Sequence, residues 1–243
     1  MNNHVNPAKH ARRARGFTLL EVMIVVAILG VLTALSVVTY DAVGNRGALQ
    51  NAAFDLQSTM SVARTRAMSR GYPVWVVFFS SANRKGQTGG DGAFMVVEDR
   101  SSRFVRNPVT LYSLELKPTA TSSRDELTGQ VVESGEVSSV YFLDDYNKKV
   151  RFGALKPGRV GLFGAPFTAL AVQTCSFCSA AGSLQGAIAF SPDGGARFYD
   201  GGGNPVSGTN HSLALSSVDG LKQQIFAISG PSGYIAAFSP DKP

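Results

Sequence analysis

Chemistry in this sequence begins with one carboxylate. Glu21 stands at the head of a run that carries no other charge from Val22 through Tyr40. An ionised carboxylate at bilayer depth costs about 2.5–3.5 kcal/mol even on permissive insertion scales, so it needs a partner or a task. On its C-terminal side the next basic residue is Arg46, beyond helical reach. A cut after Gly16 would create an α-amine on Phe17, and that amine, on this chain or on a packed neighbour, could pair with Glu21. A carboxylate lying at the membrane interface and snorkelling to water satisfies the same residues.

The other candidate groups are sparse. Cys175 and Cys178 are the only cysteines. A structural zinc site takes about four ligands, whereas the histidines, His4, His10 and His211, are scattered along the chain. A thioredoxin-like site would open a helix in a βαβ setting, and the sequence around the pair is strand-rich. A short structural disulfide between Cys175 and Cys178 is the reading that suits an oxidising compartment. Asp144 and Asp145 are adjacent on an expected exposed turn between strands, with too few other oxygen ligands for calcium. No nucleophile elbow, phosphate-binding glycine loop or zinc-protease motif occurs. No catalytic residue, metal or cofactor is expected, and the chain does not read as an enzyme.

The elements that must hold these groups follow from patterning. Residues 12–40 join a basic leader to an apolar run long enough, as a helix, to cross most of a bilayer core, which takes roughly 20 residues. From Ala48 the pattern becomes one-sided. Leu49, Ala53, Leu56, Met60, Ala63 and Ala67 recur at helical spacing and share a stripe, while Gln50, Asn51, Asp55, Gln57, Arg64, Arg66 and Arg70 lie mostly on other faces. Arg70, Gly71 and Pro73 mark the end of the helix. Gly44 and Gly47 each weaken it by about 1 kcal/mol relative to Ala, which predicts a bend or local melting there.

Beyond Pro73 the pattern is strand-like at 74–79, 94–97, 109–116, 137–143, 149–152, 168–172, 187–190, 196–199, 213–217, 224–228 and 234–238. S-P-D-G-G at 191–195 and G-P-S-G at 230–233 read as hairpin turns. The polar segments 80–92 and 117–135, and the glycine-rich run 200–208, read as surface loops, disordered or binding. The expected fold class is α+β: a long N-terminal hydrophobic spine helix packed on an antiparallel β-sheet C-terminal domain.

Gly16, Phe17, Thr18, Leu19, Leu20 and Glu21, preceded by a basic leader, resemble the class III signal of type IV prepilins. The resemblance implies that prepilin peptidase cuts between Gly16 and Phe17, that Phe17 is then N-methylated, and that Glu21 guides assembly with other pilin or pseudopilin subunits. SVARTRAMSRGYPVWV, residues 61–76, is similar to the A-R-x-x-A-x-x-R-G-x-x-V pattern of GspH/FimT-type minor pilins and pseudopilins. GAIAFSPDGGARF at 186–198 and ISGPSGYIAAF at 228–238 resemble the late hairpins of that family, whose pilin-like fold is a long N-terminal helix on antiparallel sheets. Many major pilins carry a proline a little after the middle of the apolar run; none occurs here between Phe17 and Tyr72, which leans towards a minor pilin or pseudopilin.

Three regions are therefore expected: a cleaved basic leader (1–16), a transmembrane and amphipathic spine helix (17–71), and a periplasmic β-rich GspH/FimT-like globular domain (72–243). The net charge of +6 suggests a nucleic-acid partner, but Lys9, Arg12, Arg13 and Arg15 supply four of those charges and leave +2 from Phe17 onward. Basic residues flanking an apolar segment stay cytoplasmic. The expected location is the bacterial inner membrane, single-pass, with the C-terminal domain periplasmic, and then a pilus or pseudopilus filament. A fully removed secretory signal fits less well, because its apolar run is usually about 7–15 residues.

Some FimT-like minor pilins capture DNA through a basic G-R-x-R-type segment near the C-terminus. Here the corresponding stretch is G-Y-I-A-A-F-S-P-D-K-P, with only Lys242 basic. Lys and Arg contacts to phosphate dominate such affinity, so nucleic acid ranks below protein partners. Arg64, Arg66 and Arg70 are expected to solvate the helix face or to pair within a filament. The function read here is a structural subunit of a type IV pilus or type II secretion pseudopilus, at the tip or priming complex; the alternative is a minor pilin with a ligand-binding role in DNA uptake or adhesion. Thiol titration of the unfolded, unreduced chain is expected to find no thiol, and two titratable thiols would remove the disulfide.

Overall fold

The computed structural model describes residues 17–85, 88–114, 116, 123–124, 131–132, 136–160, 163–181 and 183–239, with backbone alone at 35–43, 123–124, 131–132, 180–181 and 183. The expected leader, including Gly16, lies outside the described residues, as does most of segment 117–135. The chain divides into two compact units between Val43 and Gly44. Helix α1, Leu19–Arg70, contributes to both.

Local chemistry sets both ends of α1. The Glu21 N–H donates to Thr18 Oγ1 at 3.2 Å, so the hydroxyl satisfies a donor that the first turn leaves unpaired. At the other end Gly71 takes the left-handed conformation, φ +74°, and its N–H closes on Ala67 O at 3.1 Å. The backbone stays helical through Gly44 and Gly47, where the sequence predicts a weak point. Burial of Ala48, Leu49 and Ala52 directly after them offsets the glycine cost.

In the second unit two antiparallel sheets share this helix. The first contains β1 (Val74–Phe79), β2 (Ala93–Glu98), β5 (Val137–Phe142), β7 (Ser179–Ala181), β8 (Ser183–Phe190) and β9 (Ala196–Asp200). Its order is β5-β2-β1-β8, and the far side of β8 is shared by β7 and β9. The second runs β12-β11-β10-β6, from Ile235–Phe238, Gln223–Ser229, Asn210–Ser217 and Val150–Phe152. A small ladder pairs β3 (Ser123–Arg124) with β4 (Val131–Val132). The architecture is α+β, a helix followed by antiparallel sheets, consistent with a pilin-like fold.

The stripe from Ala48 to Ala67 packs on the inner faces of both sheets. Leu56 and Met60 are completely buried, among Val76, Phe94, Ile188 and Phe190 of the first sheet and Leu213, Leu215, Phe226 and Ile228 of the second. Each such side chain contributes about 1.5–3 kcal/mol of apolar burial. The outer faces are covered by irregular chain. Helix α2 (Arg103–Arg106) and the 3-10 segment Pro108–Ser113 supply Phe104, Leu111 and Tyr112 against Trp75, Val77 and Met95. Phe163, Phe167, Leu170 and Val172 close over Ala214, Ile225 and Ala227 of the second sheet.

Two expected strands are therefore corrected. At 109–116 the chain is mainly 3-10: the Thr110 N–H reaches Asn107 O and the Leu114 N–H reaches Leu111 O, with Pro108 at the start. At 168–172 turns dominate, and only an isolated Val160–Ala171 bridge is strand-like. Both segments alternate apolar residues because they cap a sheet, a task that needs no ladder. Leu56→Ala in the full chain in detergent is expected to lower stability to urea by about 2–5 kcal/mol. Phe54→Ala, at a side chain 70% exposed two residues earlier, should stay within about 0.5 kcal/mol; equal losses would contradict this packing.

Candidate functional site

The first turn of α1 carries Glu21 where the helix macrodipole is positive, a placement that favours a carboxylate. Thr18 and Glu21 have capping-box spacing, Thr-x-x-Glu, a signal present in the sequence that the reading of Glu21 as a lone buried charge overlooks. Around it every large apolar side chain described from Phe17 to Leu32 is exposed, from 50% at Val25 to 81% at Phe17. A helix apolar on all sides belongs in a core, a membrane or an interface. Among the described residues no helix is long and apolar enough to cross a membrane.

The arginines near the end of α1 have partners within the chain. Arg70 Nη1 donates to Glu98 Oε2 at 2.7 Å, Arg100 Nη2 to the same oxygen at 3.0 Å, and Arg66 Nη1 stands 3.5 Å from Oε1. The Tyr72 hydroxyl adds a donor to Oε2 at 2.7 Å. Burial pushes the Glu98 carboxyl up, but the hydrogen bonds from Tyr72 and Arg100 and the charges of Arg70 and Arg100 outweigh it and hold it below 4.5. The hydrogen bond to Tyr72, followed by the charge of Glu98, pushes the Arg70 guanidinium up.

Arg64 does different work. Its Nε donates to Gly194 O at 3.0 Å in the β8–β9 turn. A Cβ on Gly233, in the β11–β12 turn, would stand 2.9 Å from the same nitrogen. Beyond the expected solvation of the helix face, these three arginines tie the helix end to β2, β5 and the β8–β9 turn within the chain.

Asp144 and Asp145, on a 3-10 turn between β5 and β6, tie down segment 80–92. Arg84 forks onto Asp145 at 2.8 and 2.7 Å, and Asp144 Oδ1 accepts the Asp91 N–H at 3.0 Å. Cys175 and Cys178 are joined in a disulfide with Cα atoms 5.4 Å apart. Gly186 on β8 makes room for it, since a Cβ there would stand 2.7 Å from Cys178 Sγ.

His211 is buried against Phe198, ring centres 4.1 Å apart, with Nδ1 3.1 Å from Ser176 Oγ. Burial pushes its imidazole below 6.5, partly opposed by a backbone hydrogen bond at Gly208. That is a core histidine, and among the described residues no group of three or more His, Cys, Asp or Glu is placed to hold a metal ion.

A family profile described as the prokaryotic N-terminal methylation motif matches residues 11–37. No curated protein and no solved structure matches the chain. The matched segment includes Gly16, Phe17 and Glu21 and supports a class III prepilin-type signal, and with it a type IV pilin-like or pseudopilin protein. Such a signal implies processing by prepilin peptidase and assembly with other pilins.

The cluster at Glu98 sets a testable acid response. Its folded pKa is depressed, so the stabilisation is fully present above the ordinary value of 4.5 and is lost as pH falls through the lower folded value. Glu98→Gln is expected to remove about 2 kcal/mol at pH 7, less than a fully buried pair would lose because the arginines are half in water. The variant should also flatten the stability loss below pH 4.5 in acid titrations followed by circular dichroism; an unchanged acid limb would contradict the assignment.

Proposed function

We propose that this chain is a minor pilin or pseudopilin subunit, inserted single-pass in the bacterial inner membrane with residues 72–243 in the periplasm. Prepilin peptidase removes residues 1–16, Phe17 is N-methylated, and the spine of residues 17–71 carries the subunit into a type IV pilus or type II secretion pseudopilus, at the tip or priming complex. One observation carries the reading: a basic leader and G-F-T-L-L-E open directly into a helix whose apolar side chains face outward on every side. That surface must be covered by lipid before assembly and by neighbouring helices after it.

Glu21 supplies direction. A carboxylate within the apolar layer is costly in lipid, and a neighbour's terminal amine relieves that cost only in the filament. The Cys175–Cys178 disulfide supports a periplasmic location for the second unit. Assignment to the GspH/FimT-type subclass rests on where the three motifs lie: at the α1–β1 junction, the β8–β9 hairpin and the β11–β12 hairpin. Arg64 stands against the turns of both hairpins. Glu21→Ala and Gly16→Val are each expected to leave the second unit folded yet abolish recovery of the subunit in sheared filaments or in cross-linked pilin complexes. Normal incorporation of both variants would refute the proposal.

A further inference from the structure

Strand β5 ends the first sheet, and among the described residues nothing pairs with its outer side. Edge strands are usually blunted by charge, proline or a bulge. β5 reads Val-Ser-Ser-Val-Tyr-Phe, without charge or proline, and its bulge lies only opposite Val96 and Val97. From Ser139 to Phe142 the register is regular. The Leu143 N–H donates to Gly92 O at 2.8 Å. Alternation along the ladder then turns the amides of Tyr141 and Ser139 towards β2, and those of Val140 and Phe142 outward.

Alongside runs a groove of about 240 Å³, lined by Ser58, Val62 and Arg66 of α1 and by Val96, Ser139 and Tyr141 of the sheet. Arg66 links it to the charged cluster, donating to Ser138 Oγ of β5 at 2.9 Å. Arg66, Arg70 and Arg100 share the single carboxylate of Glu98, an excess of two positive charges. Including the neighbouring Arg103, Arg106, Asp99 and Glu136 leaves that excess unchanged. The three acids are buried, whereas the side chains of Arg66, Arg70 and Arg100 are 39%, 46% and 55% exposed. Among the described residues, the surface presented beside the strand edge is therefore cationic.

We propose that the outer edge of β5 binds an acidic, extended segment of a partner protein, which adds as a further strand and sets a carboxylate against Arg66 and Arg100. Backbone pairing to the amides of Val140 and Phe142 supplies sequence-independent attachment, and the guanidiniums select an acidic side chain in the added strand. The site is built from residues of the second unit, and its proposal does not depend on how the apolar surface of residues 17–34 is used.

The test uses the full chain in detergent micelles and two fluorescein-labelled peptides, acetyl-Thr-Val-Glu-Val-Thr-Val and its Lys counterpart, followed by anisotropy. The acidic peptide is expected to bind about tenfold more tightly, the worth of one charge-assisted hydrogen bond. The double variant Arg66→Gln, Arg100→Gln should erase that preference. Val140→Pro deletes one outward amide and leaves the β2 ladder intact, so it should weaken both peptides about tenfold. Should that variant fail to fold, amide hydrogen exchange on the wild-type chain replaces it: peptide should protect Val140 and Phe142. Equal binding of the two peptides, no binding, no added protection at those amides, or displacement of the acidic peptide by duplex DNA at equal concentration would overturn the proposal.

Discussion

Everything in the second unit leans on the burial of one narrow stripe of α1. Ala48, Ala52, Ala63 and Ala67 are small enough to let two sheets approach the helix, and Leu56 and Met60 fill the space between them. Small and large residues alternate there in the manner close packing demands. With the stripe buried, the rest of the helix surface is committed. Arg64, Arg66 and Arg70 leave the flank nearest the strands and can reach Gly194, Ser138 and Glu98. Phe54 and Val62 are left facing out.

The same chain uses helical geometry for opposite ends. Between Phe17 and Leu32 the apolar residues ring the helix and are exposed, whereas from Ala48 onward they keep to one side and are buried. The first pattern suits surroundings supplied by other molecules, and the second suits a core the chain builds for itself. Charge follows this division. Glu21 is the only charged residue from Phe17 through Tyr40, while Glu98 is buried against Arg70, Arg100 and the Tyr72 hydroxyl, which hold its carboxyl below the ordinary range.

Much of this was legible in residue order because it rests on local periodicity. The stripe, the C′ glycine at Gly71, most strands and the turns at 191–195 and 230–233 are set by spacing and turn chemistry within a few residues. Segments 109–116 and 168–172 mislead for a physical reason: alternation signals a face to bury, and a capping segment buries a face without extended ladder pairing. The Glu98 cluster was not legible at all, since its partners come from a helix and from two loops, and no spacing rule links Arg66 to Glu98. His211 likewise became a core residue only when Phe198 and Ser176 closed around it. By contrast, the Thr18 cap of Glu21 follows from a three-residue spacing and needed only to be read.

The account as a whole turns on the first residue of the mature chain, because a helix this apolar, headed by one acid, is coherent when a newly made amine is available to meet that acid. Intact-mass and N-terminal fragment spectrometry of the polypeptide extracted from membranes tests this most directly. The account predicts an N-methylated Phe17 at the terminus and no leader. A chain that still begins at Met1, or that starts at any residue other than Phe17, would contradict it.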